Sequence, residues 1–256
     1  MVSSSSHAGR AEYYDKGRPT YPAAFYDYLY SELAIGPASV IADIGSATGR
    51  VTKGFLERGS RVYAVEPDKD MMRILQDNLN QYENCIPIMN SAESTGIPSD
   101  AVDLVFCGNA YEWFERNKAI PEFKRILRRD GRNVVISTLG DPGRSRQVDQ
   151  FFAHVKSIVG AFAPPAQKRA FNRTTPFRQG SFTTQEFIFD IDQTFEALLN
   201  GSLSSAFGIL PQGSDFDRYY QLFKEGFNEH SLDGKIQMEF KLTCMIGNAD
   251  DLVELC

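Results

Sequence analysis

The sequence predicts a doubly wound α/β fold built on a mostly parallel sheet. Strand-like and helix-like stretches alternate from residue 39 to residue 139, a turn of small residues follows the first strand, and an acid closes the second. Five strand–helix units at this spacing suit no other fold class.

Taken in order, residues 1–10 carry four serines and no apolar run, which reads as an unstructured lead. Six of the eleven tyrosines follow by residue 30 (Tyr13, Tyr14, Tyr21, Tyr26, Tyr28 and Tyr30), so this segment has a dedicated aromatic use. Pro22 can open a helix in which Phe25, Leu29 and Leu33 recur at i+4. The segment ahead of it, with X-Pro steps at Pro19 and Pro22, is predicted extended. Residues 40–44 form the first strand and 51–58 its helix, stopped at Gly59; 61–65 form the second strand. Asp68 then caps a helix with Met71, Ile74, Leu75, Asn78, Leu79 and Tyr82 on one face. Residues 85–89 are a third strand that Pro87 assigns to an edge. Residues 101–107 are almost continuously apolar, as in a strand buried on both faces, and a helix at 120–129 leads to a fifth strand at 133–139.

After residue 140 the alternation stops, and thirteen of the nineteen phenylalanines lie before residue 235. This region reads as a cap inserted after the fifth strand, supplying a second ligand pocket and using some of these rings for its own core. Within it a strand is predicted at 185–191 and helices at 195–203 and 216–228. A closing strand at 236–246 brings the sheet to seven strands. The organisation is thus 1–36 as N-terminal lid and helix, 37–140 as core, 141–234 as cap, and 235–256 as closing strand and tail.

The chemistry concentrates in the first turn. Asp43, Gly45, Ala47 and Gly49 stand at alternate positions, and Glu66 follows Gly45 by 21 residues. Glycine permits unusual torsions and lets a ligand approach the main chain, and a carboxylate at that separation meets ribose hydroxyls in nucleotide-binding α/β folds. A dinucleotide fingerprint needs glycine at 45, 47 and 50; here Ala47 and Arg50 occupy two of those places. This spacing instead resembles the first motif of class I S-adenosylmethionine-dependent methyltransferases. The likeness extends over about a hundred residues. Asn90, Ser91, Ala92 and Glu93 resemble the segment bracketing the adenine, and 108–114, containing Tyr111, Trp113 and Phe114, resembles the aromatic segment of small-molecule members. Residues 126–131 match the turn into the fifth strand. Tyr14, Arg18, Pro19, Tyr21 and Pro22 resemble the lead-in of the subgroup that includes trans-aconitate methyltransferase-like proteins. Glu112 stands where those members often have histidine, and Ala47 departs from their usual central glycine.

That resemblance implies a class I methyltransferase fold, S-adenosylmethionine as cofactor (leaving as S-adenosylhomocysteine), and a small-molecule acceptor, with oxygen, nitrogen, carbon and sulfur acceptors all open. It assigns Tyr14, Arg18, Asp43, Gly45, Ser46, Gly49, Glu66, Pro67, Met71, Ala92, Glu93 and Gly108 to the cofactor, and Trp113 with Glu112 to the transfer site. Several positions have a second reading. Glu66 also suits a helix-start acid, Met71 a core position, Glu93 an exposed turn, and Trp113 a cover for the core. Tyr14 and Arg18 suit either a lid with cation–π and carboxylate contacts or a packing segment.

Composition narrows the class. A net charge of −6 and an isoelectric point of about 5.2 argue against a standing role on nucleic acid. Cys85, Cys107, Cys244 and Cys256 form no C-x-x-C pair, and His7, His154 and His230 have no metal-ligand spacing, so neither a disulfide framework nor a metal is expected. No apolar run approaches the roughly 20 residues of a membrane span, and the chain reads as cytoplasmic. Lys168, Arg169, Arg173 and Arg178 occur in 164–180 without an acid, either an anion-attracting patch or a solvated loop. Three other functions compete: an RNA or protein methyltransferase, a non-catalytic scaffold that has lost its cofactor, and a nicotinamide dehydrogenase, the last disfavoured by Arg50.

Overall fold

A computed structural model describes residues 9–129, 133–140, 148–151, 153–155, 157, 175–205 and 209–254. Two short helices lead in, α1 (Ala11–Gly17) and α2 (Ala23–Glu32). The alternating core follows as β1 (Val40–Ile44), α3 (Arg50–Leu56), β2 (Arg61–Val65), α4 (Lys69–Leu79), β3 (Cys85–Ile88), β4 (Leu104–Gly108), α5 (Arg116–Ile126) and β5 (Asn133–Gly140). Then come β6 (Phe182–Thr194), α6 (Phe195–Ser204), α7 (Phe216–His230) and β7 (Lys235–Asn248).

The seven strands form one sheet in the order β3-β2-β1-β4-β5-β7-β6. The first five are parallel, while β7 runs antiparallel between β5 and β6. The order reverses between β1 and β4, which opens a crevice at the carboxyl ends of those strands. β3 is an edge strand, as Pro87 requires, since a residue without an N–H cannot bond to neighbours on both sides.

Strand periodicity explains the two layers. Ile41, Val62, Ala64, Leu104, Phe106 and Val135 face α2, α3 and α4 through Phe25, Leu29, Phe55 and Leu75. Their neighbours Ala42, Ile44, Val65, Val105, Cys107, Val134 and Ile136 face α5 through Ala119, Ile120, Phe123 and Ile126. Asp68 caps α4 as expected, its carboxylate accepting from the N–H groups of Asp70 and Met71 at 2.9 and 3.0 Å.

Two expectations change. Residues 11–17 are helical; the chain becomes extended only at Arg18, which Pro19 drives out of helical torsions. The predicted strand at 185–191 is a thirteen-residue edge strand of the main sheet, paired along its whole length with β7. As expected, some of the later phenylalanines form a core of their own: Phe151, Phe223 and Phe227 pack with Leu203, Tyr219, Ile236 and Met238. The tyrosines divide by task. Tyr26 donates to Val51 O and Tyr30 to Phe55 O, fastening α2 to α3, and Gly54 is needed there because a Cβ would lie 2.2 Å from the Tyr26 ring. Lys168, Arg169, Arg173 and Cys256 lie outside the described residues. Among the described residues no helix is long and apolar enough to cross a membrane, and no three His, Cys, Asp or Glu side chains cluster as a metal site.

Candidate active site

The crevice at the β1/β4 reversal holds a cavity of about 440 Å³. Its floor is Asp43 of β1, the turn that follows (Gly45, Ser46, Ala47 and Thr48), and Arg50 and Val51 from the start of α3. Phe106, Gly108, Asn109, Glu112 and Trp113 form one wall, and Tyr14, Arg18, Pro19 and Tyr21 the roof. Leu139, Gly140 and Phe240 complete the lining among the described residues.

Hydrogen bonds to neighbouring strands hold the turn. Gly45 N and Ser46 N both donate to Val65 O, and Ala47 N donates to Glu66 Oε2 at 2.9 Å. The other Glu66 oxygen accepts from Asp68 N, also at 2.9 Å. Gly45 has φ of 77°, and a Cβ there would stand 2.6 Å from the Ala110 Cβ, so the wall after β4 dictates glycine. Gly49 has φ of 81° and is dictated instead by Leu79 of α4, 2.6 Å from its would-be Cβ. Ala47 occupies the left-handed region at φ 49° and packs with Ala11, Met71, Ile74 and Tyr14.

Burial sets the electrostatics. Asp43 is 2% exposed and accepts from Thr52 Oγ1 at 2.6 Å. Loss of water pushes its carboxyl up to about 7, against the Thr52 bond that favours the charge. Burial also raises Glu66, tempered by its two backbone donors. The Tyr14 phenol is raised by burial, with Arg18 opposing; the Arg18 guanidinium lies 5.2 Å from the Tyr14 ring centre. Ser46 Oγ, Thr48 Oγ1 and Arg50 Nε are buried without a hydrogen-bond partner among the described residues, and all three residues line the cavity. Such groups cost free energy until something occupies the site.

The structure brings together Tyr14, Arg18, Asp43, Gly45, Ser46, Gly108, Glu112 and Trp113 at the cavity wall. It keeps Gly49, Glu66, Pro67, Met71, Ala92 and Glu93 off that wall. Glu66 is 8% exposed beneath the turn it braces, and Met71 is buried under Ala11. Ala92 is core, and the Glu93 carboxylate accepts from Glu115 N at the start of α5. The described lining comes from the sheet ends and the N-terminal segment, and none of it from the described residues of 141–234. Tyr21, Arg50 and Asn109 line the site without having been assigned to it. Two adjoin assigned residues, and Tyr21 sits between two X-Pro steps, the signal that marks an ordered extended strap.

Comparison with known proteins agrees with this geometry. Residues 42–135 match the family described as methyltransferase domain. The sheet that carries them has the class I methyltransferase fold. An uncharacterized methyltransferase of Mycobacterium tuberculosis is 34% identical over 119 residues, 46% of each chain, and one of Schizosaccharomyces pombe is 26% identical over 129 residues, 50% of each. The matched segment spans about half the length of these curated relatives. A solved structure from Anaeromyxobacter dehalogenans, provisionally assigned as a type II methyltransferase, superposes with a TM-score of 0.67. It covers 91% of this chain and 98% of that one at 19% identity, a likeness of fold.

Proposed function

We propose that the protein transfers a methyl group from S-adenosylmethionine to a small-molecule acceptor bound in the same cavity. The observation that carries this reading is the cavity in which the turn's unpartnered polar atoms meet an acid, two guanidinium groups and aromatic rings. The cofactor supplies a sulfonium-activated methyl group, so the protein's task is holding and desolvating more than acid–base work.

The lining suits that ligand group by group. Arg18 and Arg50 would take its carboxylate, and Asp43 its ammonium, which also relieves the cost of a buried ionised acid. Tyr14 and Trp113 present aromatic faces that attract a cation. Glu66 lies off this lining; among the described residues each of its oxygens accepts one backbone N–H, which leaves a lone pair on each for ribose hydroxyls. Phe106, Leu139 and Phe240 give the remaining space an apolar wall. Glu112 is exposed and positioned to receive a proton from an acceptor that carries one. The likeness of residues 14–22 to trans-aconitate methyltransferase-like proteins makes small carboxylic acids the first acceptors to try.

Transfer of radiolabelled methyl to a small-acid panel, with bulk tRNA and a protein extract in parallel, tests the reading. Label in a small acid supports it; label only in RNA or protein transfers the function to the macromolecular class.

A further inference from the structure

Asn109 is held in an arrangement that a structural role alone does not require. It follows Gly108 at the end of β4, in the left-handed region at φ 52°, and it lines the cavity. Its side-chain oxygen accepts from Leu139 N at 2.9 Å. A backbone N–H can bond only to the oxygen of an amide, so this contact fixes which way the carboxamide faces. The Nδ2 group is thereby left as an oriented donor with no hydrogen bond among the described residues.

A second donor group stands nearby on the same support. The Tyr21 hydroxyl is hydrogen-bonded to Ser137 Oγ at 2.9 Å and would be 3.1 Å from a Cβ on Gly108. Ser137 also accepts from Asn109 N through its carbonyl, at 2.9 Å. One residue of β5 therefore anchors both Tyr21 and Asn109. When Ser137 donates to the phenol oxygen, the phenol proton is free to point elsewhere. Both groups are neutral donors, and the apolar walls next to them come from Phe106, Leu139 and Phe240.

We infer that Asn109 and Tyr21 together hold an sp² oxygen, a carbonyl or carboxylate, on an acceptor molecule with an apolar body. The inference rests on the methyltransferase reading and specifies the acceptor side of the same site. Oriented neutral donors reject a cationic ligand strongly, because an ammonium offers them no lone pair and leaves them desolvated and unpaired. The same pair accepts a carbonyl and a carboxylate, so the two sources are separated by experiment.

The test uses the full-length protein, first titrated with S-adenosylhomocysteine and then, once saturated, with three probes sharing one body: cinnamamide, cinnamate and cinnamylamine. Saturation-transfer NMR and calorimetry read binding. Cinnamamide or cinnamate should bind at least tenfold more tightly than cinnamylamine, and whichever of the two binds better names the oxygen. Asn109→Asp keeps an oxygen for Leu139 N and tolerates the backbone torsion, but replaces the donor with an acceptor. It should abolish or reverse the preference while S-adenosylhomocysteine affinity stays within twofold. Tyr21→Phe should weaken the preferred probe at least fivefold and serves if the first variant is unstable. The inference is overturned if the ammonium probe binds as well as the others, if no probe binds the saturated protein, or if Asn109→Asp retains the wild-type order. A tenfold loss of S-adenosylhomocysteine affinity in Asn109→Asp likewise overturns it, by assigning the side chain to the cofactor. Failure of the wild-type protein to bind S-adenosylhomocysteine is a different result and refutes the methyltransferase reading itself.

Discussion

Replacing Asp43 with asparagine isolates the charge at the centre of the site. The carboxyl is fully enclosed, and burial raises it from 3.8 to about 7. A carboxyl raised in the folded state favours the protonated form there, so its contribution to stability is complete below the unfolded value and disappears as pH rises through the folded one. At about 1.4 kcal/mol per pH unit, this acid costs the fold about 4 kcal/mol at pH 8 and about 2 kcal/mol at pH 5.5, relative to low pH. The carboxamide of the variant does not titrate and still offers an oxygen to Thr52. Relative to wild type, Asp43→Asn should therefore gain about 2 kcal/mol between pH 5.5 and pH 8, measured by urea unfolding at several pH values. The same acid pairs with the ligand ammonium, so wild-type affinity for S-adenosylhomocysteine should rise about tenfold between pH 5.5 and 7, and the variant should lose that dependence. A stability difference that is flat with pH would refute the reasoning from desolvation.

Other perturbations separate bracing from binding. Gly45→Ala introduces a methyl against Ala110 in a left-handed turn and should cost about 1–3 kcal/mol, read as a lower thermal midpoint. Glu66→Ala leaves Ala47 N and Asp68 N without their acceptor; it should destabilise the protein by about 2–4 kcal/mol, and calorimetry should show cofactor binding weaker by roughly 1.5–3 kcal/mol. Full stability in Glu66→Ala would contradict its bracing role. Gly17 meets the backbone of α6, its would-be Cβ 2.1 Å from Gly201 N, so Gly17→Val should displace α1 and weaken S-adenosylhomocysteine binding. Deleting residues 1–20 should leave a folded core with the same loss of affinity, checked by circular dichroism and calorimetry together.

The core was legible because its signals are local and periodic. The apolar runs in 40–44 and 101–107, the Asp68 cap and Pro87 each act within a few residues, and a strand, a capped helix and an edge strand appear there, the second run pairing from Leu104 to Gly108. The turn was legible as a ligand site, but the work of its parts was not. Gly49 also meets Leu79, thirty residues away, and Glu66 also braces Ala47 across the β1–β2 gap; spacing alone shows neither contact. The N-terminal segment misled through its prolines, which constrain only Arg18 and Tyr21 and leave 11–17 free to form a helix. The phenylalanines after residue 140 could not be divided by composition, which does not distinguish rings facing a ligand from rings facing one another. Asn109 was illegible because its significance lies in the contact with Leu139, which exists only once β4 and β5 pair.

The most direct test of the account is isothermal titration of the full-length protein with S-adenosylmethionine, S-adenosylhomocysteine and NAD. Saturable one-site binding of both adenosyl ligands, with none for NAD, is the predicted result. Folded protein that binds none of the three would contradict it and point to Ala47 and the scaffold function. Binding of NAD alone would contradict it in favour of a dehydrogenase.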